Sequence, residues 1–249
     1  MLGSSRGIGA ATARALRAQG HRVVLHGRSA SAALSGLGGE LGVPTVAFDL
    51  ADVAAARQGV KNVVAEHGLP QVVVYSAGVN RVVPFEGASR EEIAEAFAVN
   101  VWGAVGVLQD LLPKMVARDG GAVVLVSSIR GVDGLASDRT VFYSMAKAAL
   151  GNLTASLAKR FAPTVRVNAV APGFTATDMV STWDERTWRQ APGQPARPTR
   201  GAGGDRWGDR VPRLGRRPAH HRPDPGCGRR LWPGRKVGTG RAGELHSKE

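Results

Sequence analysis

The chain is predicted to be an α/β protein built on one doubly wound parallel sheet. Three observations predict this. Short apolar runs such as Val72–Tyr75, Ala122–Ser127 and Val165–Val170 alternate with longer helix-forming segments. Such alternation implies right-handed crossovers that bury a parallel sheet between helices. Gly3, Arg28, Asp49, Gly78, Ser128 and Pro172 all fall at strand carboxyl ends, where open α/β sheets bind ligands.

The elements follow in order. Gly3-Ser-Ser-Arg-Gly7-Ile-Gly9 runs straight into Ala10–Gln19, a strong helix former that Gly20 ends. Glycines before a helix let backbone N–H groups approach a pyrophosphate, and the helix N-terminus favours the anion. Only Met1 and Leu2 precede this loop, so the strand that should deliver it is expected to be missing. His21–His26 reads as a short buried strand, residues 30–41 as a glycine-weakened helix, and Val43–Phe48 as the next strand, ending at Asp49. A helix over 52–67 closes at Gly68, and the strand Val72–Tyr75 leads to Ser76-Ala-Gly78. An amphipathic stretch over 89–98 leads to Asn100 and a long helix to about Arg118. The strand over 122–127, a helix over 143–161 and the strand Val165–Val170 complete the regular part, which Pro172-Gly173 closes.

The strand over 122–127 delivers Ser128 at its end, and the following helix carries Tyr143 and Lys147. Positions i and i+4 share one helix face, so phenol and ammonium can point into one site with the serine opposite. That set suits proton transfer to a carbonyl oxygen. A Tyr-x-x-x-Lys alone is often two surface residues; the serine strand and the glycine loop argue against that here. There is no Asp or Glu from 21 to 39, and Arg28, with Arg6, can accept the extra phosphate of NADP. A solvated loop arginine is the competing reading.

The length fits one domain, and no apolar run approaches a membrane span. The single cysteine, Cys227, cannot form an internal disulfide, so a cytoplasmic location is expected. No metal ligand set is expected. The net charge of +13 is unevenly placed. Residues 1–183 hold 17 Lys+Arg against 13 Asp+Glu, while residues 184–249 hold 16 against 7. The latter contain 12 Gly, 8 Pro and only five Val or Leu, too few to offset the entropy of ordering. The expected organisation is an incomplete nucleotide-binding domain over 1–188 and a Gly/Pro/Arg-rich tail over 189–249.

With these motifs in place, the chain resembles the short-chain dehydrogenase/reductase family over roughly residues 2 to 183, with its Rossmann-like fold. It is most similar to NADP-dependent 3-oxoacyl-carrier-protein reductases and glucose-dehydrogenase-like members. The matching pieces are Gly3–Gly9, Asp49, Ala77-Gly78, Asn100, Ser128, Tyr143-x-x-x-Lys147 and Pro172-Gly-Phe-Thr-Ala-Thr177. The resemblance implies that Tyr143 is the general acid/base, its pKa lowered from about 10 by the Lys147 ammonium and the nicotinamide. It implies that Ser128 holds the substrate oxygen, with Ser127 the lesser candidate. Lys147 would also hold ribose hydroxyls, and Asn100 would organise a relay water, unless it is only a helix-kink or cap residue. Asp49 would meet the adenine, although a strand-end Asp is also an ordinary helix N-cap. Gly3, Ser5, Arg6, Ile8, Gly9, Arg28, Ala77, Gly78, Tyr143, Lys147, Pro172, Gly173 and Thr177 complete the implied site for NADP(H), ahead of NAD(H). The implied substrate is a ketone or 3-oxoacyl thioester, and the intact parent would be a homo-oligomer away from membranes.

Three departures accompany the resemblance. Leu2 replaces a threonine before the loop, and the strand there is absent. Tyr75-Ser-Ala-Gly78 replaces Asn-Asn-Ala-Gly. The chain after about Trp188 lacks the family's last helix and last strand. One explanation is a polyanion-binding arm, as in a nucleic-acid-associated protein; a separate alternative is an inactive or pseudoenzyme fragment or a regulatory NADP-binding module. The favoured explanation is translation out of frame. Shifting His220–Gly234 forward by one base permits ITGQTLAVDGGYGL, and shifting Arg206–Arg216 permits AGAIAFLASA. Both hidden segments resemble the family's C-terminus, in the right order. A chain lacking both strands is expected to fold poorly or partially, because buried neighbours lose backbone partners. Sequencing the gene through the codons for Thr182 to Gly201 should reveal a one-base slip near Trp188 to Ala191. A confirmed frame would instead make the basic arm genuine.

Overall fold

The strands form two parallel groups that meet at Leu2. The computed structural model describes residues 1–173 and 175. Thr177, the boundary near residue 188 and the tail lie outside them.

The elements are α1 (Gly7–Ala18), β1 (Leu25–Gly27), α2 (Ala32–Leu41), β2 (Thr45–Ala47), α3 (Val53–His67), β3 (Val72–Tyr75) and α4 (Arg90–Phe97). After a π-helical turn (Ala98–Trp102) come α5 (Gly103–Ala117), β4 (Gly121–Val126), a 3₁₀ turn (Ile129–Gly131), α6 (Val141–Phe161) and β5 (Val165–Val170). β1 runs parallel to β2 with Leu25 opposite Thr45. β3, β4 and β5 pair in that order, with Val72 opposite Ala122 and Gly121 opposite Val165.

Leu2 joins the two groups of strands. It bridges Tyr75 in parallel, donating to the Val74 carbonyl at 2.9 Å and accepting from the Ser76 N–H at 2.8 Å. On the other side the Met1 ammonium donates to the Val24 carbonyl at 3.0 Å, and the Ser4 N–H to the His26 carbonyl at 2.9 Å. Met1 and Leu2 therefore occupy the strand position expected to be empty, seated between β1 and β3. Backbone groups at the sheet centre must be paired, and Met1 and Leu2 are long enough to pair the end nearest the glycine loop.

Side chains alternate across the sheet. Val73, Tyr75, Val123, Leu125, Val165 and Val167 face α3, α5 and α6, forming the larger core with Val107, Leu108, Leu112 and Leu150. Each fully buried leucine there contributes roughly 1.5–3 kcal/mol. Val74 faces the other way, into a smaller core with Ala13, Leu16, Leu25, Leu34 and Leu37 from α1, β1 and α2. On this second face Arg166, Asn168 and Val170 of β5 are exposed, and no described strand pairs the outer edge of β5.

Most expected elements are present with shifted ends. α1 begins at Gly7, inside the glycine motif, rather than at Ala10. β1 has three residues instead of six, matching the three residues of β2 that pair with it. The cap of α3 is Asp52, whose carboxylate accepts from the Ala54 and Ala55 N–H groups, so Asp49 is not the helix cap. The stretch 90–117 has the length and mean hydropathy of a membrane span, contrary to the sequence expectation. Half of that window is buried and Leu108, Leu111 and Leu112 sit in the core, as in a core helix.

The π-helical turn is where Tyr75 matters. The Gly103 N–H donates to Ala98 rather than to Val99, the carbonyl four residues back. The fully buried Tyr75 hydroxyl donates to that Val99 carbonyl at 2.5 Å. It needs Gly103, where a Cβ would come within 2.6 Å of the hydroxyl. Tyr75→Phe should cost about 1–3 kcal/mol, by stranding a buried carbonyl. A urea midpoint equal to that of the parent chain would show that the bond contributes nothing.

Candidate active site

β4, the 3₁₀ turn and α6 bring Ser128, Tyr143 and Lys147 together. Ser128 caps the turn in extended conformation, its hydroxyl accepting from the Arg130 N–H at 3.1 Å. Gly131 lets this turn lie on α6, since a Cβ there would sit 2.4 Å from the Lys147 carbonyl carbon. The Ser127 hydroxyl donates to the Lys147 carbonyl at 2.9 Å and is committed to α6. Ser128, and not Ser127, is the serine that acts on the Tyr143 phenol, opposing its upward shift. The Ile129 N–H donates to the Pro172 carbonyl at 3.0 Å, which sets Pro172-Gly173 beside the serine.

Burial governs the protonation of the site. Tyr143 is 9% exposed and Lys147 3%. Burial pushes the Tyr143 phenol above its ordinary value, and the neighbouring Ser128 side chain pulls it partly back. The expected lowering by Lys147 is absent. The Lys147 Nζ lies 5.6 Å from the Tyr143 ring centroid and donates to the Val126 carbonyl at 2.9 Å. Burial brings the ammonium itself down to about 8.

Asn100 is fully buried in the π-helical turn. Its side-chain amide donates to the Val79 and Ala96 carbonyls, both at 2.8 Å, and its oxygen accepts from the Val79 N–H at 3.3 Å. These bonds hold the segment after β3 against the helix, as a kink residue would. A Cβ on Gly78 would lie 2.9 Å from the Asn100 oxygen and 3.1 Å from the Lys147 Nζ. Gly78, Asn100 and Lys147 thus meet at one point.

The glycine loop forms a second cradle nearby. Gly3 has φ +73°, and a Cβ there would come within 2.5 Å of Ala77. A Cβ on Gly9 would lie 2.0 Å from the Gly3 carbonyl oxygen. No side chain caps the N-terminus of α1, and no acidic residue occupies its first turn. Uncapped amides behind close-packed glycines fit a phosphate group. Ser5 and Ile8 are half-buried here, while Arg6 and Arg28 are exposed and make no ion pair with another described residue. Asp49 is half-buried at the end of β2 and accepts from the Ala51 N–H at 2.8 Å.

Two residues outside the sequence-level site brace it. Tyr75 supports the turn carrying Asn100. His26, 3% exposed, accepts from the Gly3 N–H through Nδ1 at 3.2 Å and meets the Phe48 carbonyl through Nε2 at 2.9 Å. Neither has a spacing signature, because each acts on a backbone group distant in sequence.

A profile of short chain dehydrogenases matches residues 1–188. The chain belongs to the short-chain dehydrogenase family. It is similar to the acetoacetyl-CoA reductase of Rhizobium meliloti, with 33% identity over 187 residues, spanning 75% of this chain and 77% of the relative. A 3-oxoacyl-acyl-carrier-protein reductase of Aquifex aeolicus is 35% identical over 194 residues, spanning 74% and 76%. Among solved structures, a 3-oxoacyl (acyl-carrier-protein) reductase of Agrobacterium tumefaciens with NADP bound gives a TM-score of 0.68 at 30% identity, covering 76% of this chain and 73% of its own. A gluconate 5-dehydrogenase of Burkholderia cenocepacia in complex with NADP and tartrate gives 0.66 at 26%, covering 72% of each. Membership of this oxidoreductase family makes the chain an enzyme by descent.

The lysine buried in this site has a consequence for stability. Its folded-state pKa is lowered from 10.5 to about 8, so between those values the unfolded chain binds more protons. Stability should therefore rise as pH rises through that window. Lys147→Met should remove that rise from urea denaturation measured at several pH values; an unchanged rise would assign it to other groups.

Proposed function

We propose that this chain is an NADP(H)-dependent reductase that converts a carbonyl to an alcohol using Ser128, Tyr143 and Lys147. The carrying observation is the burial of Ser128, Tyr143 and Lys147 together, with the Lys147 Nζ 5.6 Å from the Tyr143 ring, at the point where Gly78 and Asn100 meet. Ser128 holds the substrate oxygen and Tyr143 gives it a proton as general acid. Lys147, held by the Val126 carbonyl, fixes a positive charge near the phenol and would return a proton to it by way of a water that Asn100 organises. When bound, the nicotinamide cofactor supplies the hydride.

The cofactor reading rests on fit. Gly3, Ser5, Arg6, Ile8 and Gly9 would hold the pyrophosphate at the uncapped start of α1. Arg28 would take the extra phosphate of NADP, supported by the absence of an acidic residue from 21 to 39. Asp49 would meet the adenine. Ala77, Gly78, Tyr143, Lys147, Pro172, Gly173 and Thr177 would line the nicotinamide half. NADP in the Agrobacterium and Burkholderia proteins supports NADP(H) over NAD(H).

The relatives that act on acetoacetyl-CoA and 3-oxoacyl carrier protein support a 3-oxoacyl thioester or similar ketone as substrate. Residues 189–249 are read as outside the catalytic domain, since the family match ends at residue 188. The intact parent is read as a homo-oligomer.

Tyr143→Phe should lower the rate of NADPH oxidation by about 10²–10⁴-fold across a panel of ketones and 3-oxoacyl thioesters. NADPH affinity should change little. Tight NADPH binding without turnover by the parent chain would leave a binding module in place of an enzyme.

A further inference from the structure

His26 is a buried titratable group that the proposed chemistry does not use. It sits in the last part of β1, under the glycine loop. Its backbone is pinned first: the His26 N–H donates to the Ser4 hydroxyl at 2.8 Å, and its carbonyl accepts from the Ser4 N–H at 2.9 Å. Its ring is then pinned at both nitrogens. Nδ1 faces the Gly3 N–H, which can only donate, and Nε2 faces the Phe48 carbonyl, which can only accept. The pair of partners selects one tautomer, with the proton on Nε2. The Phe48 ring covers it, tilted, with centroids 4.1 Å apart.

We propose that His26 is a positioning residue for the phosphate loop: as the neutral Nε2–H ring it ties the Gly3 amide to the Phe48 carbonyl, locking the loop to the strand end that carries Asp49. The proposal rests on the nicotinamide-cofactor reading of that loop. Gly3 is the tightest point of the cradle, against Ala77 on one side and the Gly9 position on the other. Freeing its amide lets the loop drift from the amides of α1. One ring therefore holds together the two regions that would grip the two ends of an adenosine diphosphate.

The same geometry makes the lock sensitive to acid. A proton on Nδ1 turns the acceptor into a donor and sets it against the Gly3 N–H. Burial and the nearby Met1 ammonium oppose that proton, while the Phe48 carbonyl and the Asp49 carboxylate favour it. The balance brings the imidazole down to about 4, so the lock is closed at neutral pH.

The test uses two variants of the full chain. His26→Leu removes both bonds; His26→Gln offers an acceptor and a donor but does not titrate. At neutral pH His26→Leu should bind NADPH about tenfold more weakly, and His26→Gln close to the parent affinity. As pH falls toward 4, the parent should lose affinity more steeply than His26→Gln. In the cofactor-free chain, His26→Leu should speed hydrogen exchange across residues 2–9 about tenfold. Parent-like affinity and exchange in His26→Leu, or a parent-like acid limb in His26→Gln, overturns the proposal. Failure of the parent to bind NADPH overturns the cofactor reading instead, and loop exchange in the free chain then decides whether His26 is the lock.

Discussion

The ligand end of this sheet depends on the pairing of Leu2 between β1 and β3. Two residues supply the bonds that join a two-stranded and a three-stranded group into one surface. Because Leu2 enters in register with Tyr75, Gly3 emerges directly against Ala77, and the glycine loop lies over the carboxyl ends of the strands. The Met1 ammonium is spent on the Val24 carbonyl, and burial brings it down to about 6.

The catalytic corner is built from the same constraint. β4 lies beside β3, so Ser128 at the end of β4 faces Gly78 after the end of β3. α6 crosses above and drops Tyr143 and Lys147 onto that pair of strand ends. Close approach is bought with glycines: Gly78 admits the lysine and the asparagine, Gly103 admits the tyrosine hydroxyl, and Gly131 admits the backbone of α6. At each, a Cβ would collide with an atom that makes a hydrogen bond in the site or lies on its backbone. The π-helical turn adds a local backbone irregularity at Asn100, paired by Tyr75 from beneath.

Much of this was legible in the sequence. The order of strands and helices, the glycine loop, and the Ser128, Tyr143 and Lys147 set all follow from local patterns. Val72–Tyr75 and Val165–Val170 were legible to the residue, the first as a short apolar run and the second as valines alternating with polar residues, each sharply bounded. β1 was overestimated, because its length is set by the neighbour available rather than by its own residues. The start of α1 was placed three residues late, because Gly7 reads as a loop residue until the tertiary fold turns it into the first helical position. The burial that pushes the Tyr143 phenol upward was not legible, because a sequence shows that lysine is near but not how deeply the pair is buried or where the ammonium points.

The sequence by itself determined the family, the alternation of elements and the chemical types at the site, since these depend on periodicity and spacing along one chain. Only the tertiary structure decided which carbonyl holds Lys147, which serine meets Tyr143, and that His26 and Tyr75 brace the loop and the turn. Those outcomes depend on hydrogen bonds between groups 20 or more residues apart, whose partners are fixed only when the sheet is assembled.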